Sequence, residues 1–238
     1  MCCSSFYNAR KEKLVHRMKE NVYKVGEQFP TEKELCKEFD VSRTTVRLAL
    51  SQLVQEGYLI RQRGKGSFVA EPKVNQILSY TENKFGQQLK AQGIKGKIEL
   101  KNLEVIPANG TEKEKLKLNE NDPIQKIKRI RLANNETTQY EISYVPWNIA
   151  PGLTKEQLET SLYSTLKEQH NVSIYKTTEM IEVVLADNDI GHYLNCQTGQ
   201  PCFYIETIAE DKDGKIIEFS KSYFRGDKTN FRIEREYH

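Results

Sequence analysis

The chain has 238 residues, room for one large or two ordinary domains. Its formal net charge of +3 is uneven, with 13 Lys and Arg against 9 Asp and Glu in residues 1–72 and 23 against 24 beyond, so the excess that attracts phosphate sits in the first third. No run approaches the ~20 apolar residues of a bilayer span, no basic-then-apolar start marks a signal peptide, and Cys2, Cys3, Cys36, Cys196 and Cys202 form no CxxC pair. A soluble, cytoplasmic chain with reduced thiols, no metal and no cofactor is expected, rather than a disulfide scaffold or a zinc site.

In chain order, Leu14, Met18 and Val22 recur every four residues, predicting a helix from about Asn8 to Asn21. Gly26 and Pro30 bracket a loop, and Thr31 is placed to cap a helix with Glu34 at its third position. After a short turn at Asp40-Val41 a second helix is predicted from Arg43 to Gln55, with Val46, Ala49, Leu50 and Leu53 as its core stripe. Ser42, Arg43, Thr44 and Thr45 fill its start, and Arg47 follows one turn after Arg43, off the stripe. Gly57 suits the left-handed residue that ends a helix. Tyr58–Arg61 and Ser67–Val69 read as arms of a hairpin whose tip, Gln62-Arg63-Gly64-Lys65-Gly66, is basic and broken by glycine. Helix, short turn, helix and basic hairpin make a winged helix-turn-helix, whose second helix enters the major groove.

Residues 26–69 also resemble the DNA-binding domain of the GntR family of bacterial transcription regulators, in F-P-T-E-x-E-L, V-S-R-T-T-V-R-x-A-L, L-x-x-E-G-Y and G-K-G-S-F-V. The resemblance implies DNA contacts by Lys33, Arg43, Thr44, Thr45, Arg47, Lys65 and Gly66. Ser42 and Arg63 join them by position.

Pro72 marks a boundary. The expected division is a DNA-binding domain over 1–70, a linker over 71–80 and an effector-binding and dimerisation domain over 81–238. In the last, a helix over about 84–92 leads into a strand from Lys97 to Ile106, then a short helix after Asn109. Strands Ile124–Ala133 and Thr137–Val145 flank the hairpin signal Asn134-Asn135. A helical turn over Leu153–Glu159, a helix over Ser161–Gln169, a strand over Ile174–Leu185 and a short helix capped by Asp187 follow. Strands over Cys202–Ala209 and Lys215–Arg225, and a last one over Phe231–Tyr237, complete an α+β fold, an antiparallel sheet with helices on one side.

Strand alternation puts Arg129 with Arg131, Glu141 with Ser143, and Glu218 with Ser220 and Ser222, each set on one face. Ser161 sits at a helix N-terminus, where free amides favour an anion, and Tyr163 lies in the same first turn. Guanidinium groups bind oxyanions through paired donors, so this set predicts a phosphate or carboxylate site, with the two Glu accepting from hydroxyl or amino groups.

Residues 85–231 resemble the effector-binding (UTRA) domain of the HutC subfamily, which shares its fold with chorismate lyase. The pieces that carry this are KRIR at 128–131, YEISYVP at 140–146, SLY at 161–163 and EFSKSYFRGD at 218–227. The resemblance implies a phosphosugar-type effector held at those positions, with Lys84 and Phe85 where the family often has small hydroxyl residues over the phosphate, and Phe224 where it often has Tyr. His16, His170, His192 and His238 have no spacing suited to a metal or a triad, so no enzyme is expected. The combined expectation is a homodimeric repressor released from an inverted-repeat DNA operator by a small anionic effector. The alternatives are an activator, or carboxylate-sensing or enzyme-like use of the lyase-type domain.

Overall fold

The computed structural model describes residues 12–18, 20, 22–70, 73–77, 89–90 and 92–233. It divides into two compact units between Lys73 and Val74.

In the first unit, α1 (residues 12–18), α2 (Glu32–Phe39) and α3 (Arg43–Gln55) enclose Leu14, Met18, Leu35, Val46, Leu50 and Leu53. Each later helix starts on a side-chain cap. Thr31 and Glu34 exchange bonds as a capping box, and Ser42 accepts from Thr45 N–H. The tight turn between them is made by Asp40, left-handed at φ 50°, whose N–H returns to Cys36 O. Gly57, at φ 79°, follows α3, and the chain enters the antiparallel hairpin β1 (Leu59–Gln62) and β2 (Gly66–Val69). Phe29 N–H donates to Ser67 O at 2.7 Å and Val69 N–H to Glu27 O at 2.9 Å. The loop before α2 thus lies along the wing and holds it.

In the second unit, six antiparallel strands take the order β4-β5-β6-β9-β8-β7: β4 Gly96–Pro107, β5 Pro123–Ala133, β6 Glu136–Pro146, β7 Lys176–Leu185, β8 Pro201–Glu210 and β9 Ile216–Arg225. The β5–β6 turn is Asn134-Asn135, at φ 49° and 66°, the conformation that asparagine tolerates and a two-residue hairpin requires. Helices pack on both faces of the sheet, which corrects the expectation of one. On one, Leu158 of α5 (Lys155–Leu158) and Leu162 and Leu166 of α6 (Leu162–His170) meet Ile127, Val145 and Ile217. On the other, Leu116 of α4 (Gly110–Leu116) meets Tyr144 and Phe219, and Ile190 and Leu194 of α7 (Asn188–Leu194) meet Ile130 and Tyr140. The strands carry large apolar residues at both parities, so both faces need cover.

The linker expected over 71–80 is corrected in part. Val74–Ile77 is a strand, β3, paired in parallel with β10 (Thr229–Arg232). Val74 is buried against Leu89 and Ala133, contacts that local sequence does not announce. Of the last strand, expected over 231–237, the described part is Phe231 and Arg232 within β10; residues 234–238 lie outside the described residues.

Candidate functional site

On α3 the buried Val46, Leu50 and Leu53 leave Arg43, Thr44, Arg47, Leu48, Ser51 and Gln55 exposed. The Ser42 hydroxyl lies 2.9 Å from Thr45 Oγ1 and accepts from Thr45 N–H at 3.2 Å, so these two shape the helix start. Arg43 and Arg47 converge on one carboxylate, Glu32, at 3.6 and 3.1 Å. The arginine side chains are 75% and 68% exposed. Such pairs are worth roughly 0–1 kcal/mol and yield readily to a phosphate. Lys33, Arg63, Lys65 and Gly66 are also exposed. At the wing tip Gln28 Nε2 donates to Lys65 O at 2.8 Å. Gly66 is at φ +107°, where a Cβ would stand 3.2 Å from that same Nε2, so glycine is required there.

In the second unit the strand register aligns the predicted residues in rungs. Arg129 faces Glu141, which faces Ser222; Arg131 faces Gln139; Ser143 faces Ser220. All are buried, Arg129 with only 2% exposure. Both guanidinium groups close on Glu141, Arg129 Nη2 on Oε1 and Arg131 Nη2 on Oε2 at 3.0 Å. Arg129 Nη1 donates to Leu158 O at 3.3 Å. Glu141 also accepts from Ser143 Oγ at 3.2 Å and from Gln139 Nε2 at 3.1 Å, and that Nε2 donates to Ser222 Oγ at 3.2 Å. Tyr163 donates its hydroxyl to Glu218 at 2.7 Å. Ser161 caps α6, accepting from Ser164 N–H at 3.3 Å. Arg129, Arg131, Gln139, Glu141, Ser143 and Ser222 thus form one buried polar cluster on the face that α5 and α6 cover, while Ser161 and Tyr163 are half-buried on α6. Lys84 and Phe85 lie outside the described residues.

The profile of the bacterial regulatory proteins, gntR family, matches residues 6–69, and that of the UTRA domain matches residues 91–230. The chain belongs to the GntR family. It is similar to an uncharacterized HTH-type transcriptional regulator, YurK, of Bacillus subtilis, at 32% identity over 97% of this chain and 96% of the relative. It is 30% identical to a probable fructoselysine utilization operon transcriptional repressor of Escherichia coli, over 98% of this chain and 95% of that one. The crystal structure of PhnF from Mycobacterium smegmatis superposes with a TM-score of 0.68 at 27% identity, over 96% of this chain and 99% of the other. This GntR protein is therefore a DNA-binding transcriptional regulator and not an enzyme.

Electrostatics separate the two acidic residues of the regulator's cluster. Burial pushes Glu141 up, but Arg129 and Arg131 outweigh it and hold the carboxyl well below the usual range. Burial, reinforced by Glu141, pushes Glu218 up. Burial also raises the Tyr163 hydroxyl well above its ordinary value, so it stays a donor. A carboxyl raised on folding stabilises fully below its unfolded value and loses that contribution as pH rises through the folded value. Glu218→Gln removes this loss. Its stability relative to wild type should rise as pH climbs from the ordinary carboxylate range toward neutrality. Urea unfolding across that range checks it, and a pH-independent difference would contradict it.

Three contributors went unmarked in the sequence reading. Gln139 shares the alternation of Glu141, a signal that was available. Glu32 and Gln28 act across 15 and 37 residues of chain, and nothing local points to their partners.

Proposed function

We propose that this regulator is a HutC-type repressor that binds an inverted-repeat operator as a homodimer and leaves it when a small anionic effector, first of all a phosphorylated sugar, enters the buried cluster of the second unit. The supporting observation is the donor inventory around Arg129. Its Nε is buried and has no hydrogen-bond partner among the described residues, although Glu141 and Leu158 O take its other nitrogens. A buried guanidinium donor favours an acceptor strongly, and a phosphate oxygen supplies one. The Ser161 hydroxyl, an acceptor toward Ser164 N–H, has its own proton to donate to the same anion. Glu218, Ser220 and Ser222 would meet the hydroxyl groups of the rest of the ligand. Similarity to a fructoselysine utilization operon repressor supports a sugar-related effector. To cause release, the ligand must bind the DNA-free form more tightly than the DNA-bound one.

Strand β7 supports a dimer through the second unit. It is an edge strand of the sheet, and Met180, Ile181, Val183 and Leu185 are exposed on it, Val183 by 70%. A bare apolar edge is a pairing surface that monomers avoid.

A thermal-shift screen of the full chain against sugar phosphates, amino-sugar phosphates and small carboxylates tests the effector. A ligand at 100 times its Kd stabilises by about 2.7 kcal/mol, a rise of several degrees. Sugar phosphates should give that rise in the wild type and not in Arg131→Ala, provided the variant is folded by circular dichroism. A shift by carboxylates alone would replace the phosphosugar reading with the carboxylate one.

A further inference from the structure

Leu48 is a large apolar side chain on the outward face of α3, 60% exposed, where the other exposed residues, Arg43, Thr44, Arg47, Ser51 and Gln55, are polar. It stands one turn after Thr44, on the same helical stripe, and directly after Arg47. The first unit's buried core, from Leu14 to Val69, does not include it. Neither propensity nor burial within this unit calls for leucine here. Alanine forms helix better, and a polar residue would keep the face wetted.

Resting on the reading of α3 as the helix that enters the major groove, we propose that Leu48 is a specificity-determining residue that packs on the 5-methyl group of a thymine in each half-site. The major-groove edges of the bases present donors, acceptors and one apolar feature, the thymine methyl. Arginines, threonines and serine on this face can satisfy the polar edges and the phosphates, whereas a leucine side chain has only the methyl to gain from. The charge on this surface fits this occupant, with Arg43 and Arg47 exposed on α3 and Lys33 on α2. A leucine also discriminates negatively. At a base pair without the methyl it would cover amino or carbonyl groups and strip them of water.

The test is selection of duplexes from a random pool by the full-length protein and by Leu48→Ala and Leu48→Met. Replacement of each conserved thymine by deoxyuridine, which removes only the methyl, follows. Exposure of the site and the helix propensity of alanine leave folding intact in Leu48→Ala. The wild type should select one T·A pair per half-site that Leu48→Ala accepts in any form. Deoxyuridine there should weaken wild-type binding about fourfold per half-site and about 15-fold in both, the factor for burying one methyl, leave Leu48→Ala unaffected, and act on Leu48→Met to an intermediate degree. Identical motifs from wild type and Leu48→Ala, or a deoxyuridine effect that Leu48→Ala retains, would overturn the assignment and turn Leu48 toward solvent or a protein surface. Failure of the wild type to enrich any motif would remove the underlying DNA-reading role of α3 as well, a result distinct from the first two.

Discussion

Replacing Glu141 by Ala is expected to destabilise the second unit by about 3–5 kcal/mol, the largest single effect outside the hydrophobic core. The carboxylate is buried with both guanidinium groups on it, Arg129 and Arg131. Without it the two buried guanidinium groups lose the carboxylate that both of them bond, away from bulk water, and the Gln139 amide and Ser143 hydroxyl lose an acceptor. Removing one partner of a buried pair costs far more than the pair itself contributes, because the orphaned charge keeps its desolvation penalty. The chain's one tryptophan, Trp147, directly follows β6, the strand that carries Glu141, so its fluorescence during urea unfolding reports this unit. The midpoint of that transition should fall sharply in Glu141→Ala. A loss under about 1 kcal/mol, the size of an exposed pair, would mean that the arginines find other compensation. The sign with pH follows from the depressed carboxyl. The contribution of Glu141 is present above its unfolded value and lost as acid titrates it through the lower folded one.

The second large effect is on DNA. If Arg47 is a groove contact, Arg47→Ala should weaken operator binding by about 1–3 kcal/mol per half-site, while the fold is nearly unchanged, since this exposed side chain pairs with Glu32 at 3.1 Å and such pairs contribute little. Salt separates the kinds of contact. Loss of a phosphate contact lowers the slope of log affinity against log salt by about 1 per arginine and weakens all sequences alike. Loss of a base contact leaves the slope and relaxes one position of the motif. Fluorescence anisotropy with specific and random duplexes from 50 to about 200 mM salt reads both, and unchanged affinity with unchanged slope would take Arg47 off the DNA.

The first unit was legible because its signals are local. Thr31 with Glu34 and Gly57 after α3 act within four residues, and the structure has each where the capping rules put it. The Asn134-Asn135 turn and the Asp187 cap were readable for the same reason. In the second unit, alternation placed Arg129, Arg131, Glu141 and Ser143 on the right faces. It did not say that both arginines would close on Glu141, because a period of two fixes the face of a residue and not its neighbours on other strands. The parallel pairing of Val74–Ile77 with Thr229–Arg232 joins segments about 155 residues apart, a contact no window of sequence contains. Helices were expected on one face, whereas Tyr140, Tyr144 and Phe219, at the strand parity opposite Glu141 and Glu218, also demand cover.

The proposed effector response requires that an anion in the buried cluster of the second unit weaken the DNA grip of the first. Its most direct measurement is the affinity of the full chain for a selected inverted-repeat duplex, by anisotropy, with and without a saturating sugar phosphate that shifts the melting temperature. At least a tenfold loss of affinity in the wild type is predicted, equal to about 1.4 kcal/mol of coupling, with none in Arg131→Ala. Equal affinity with and without a ligand that demonstrably binds, or an equal loss in Arg131→Ala, would contradict it.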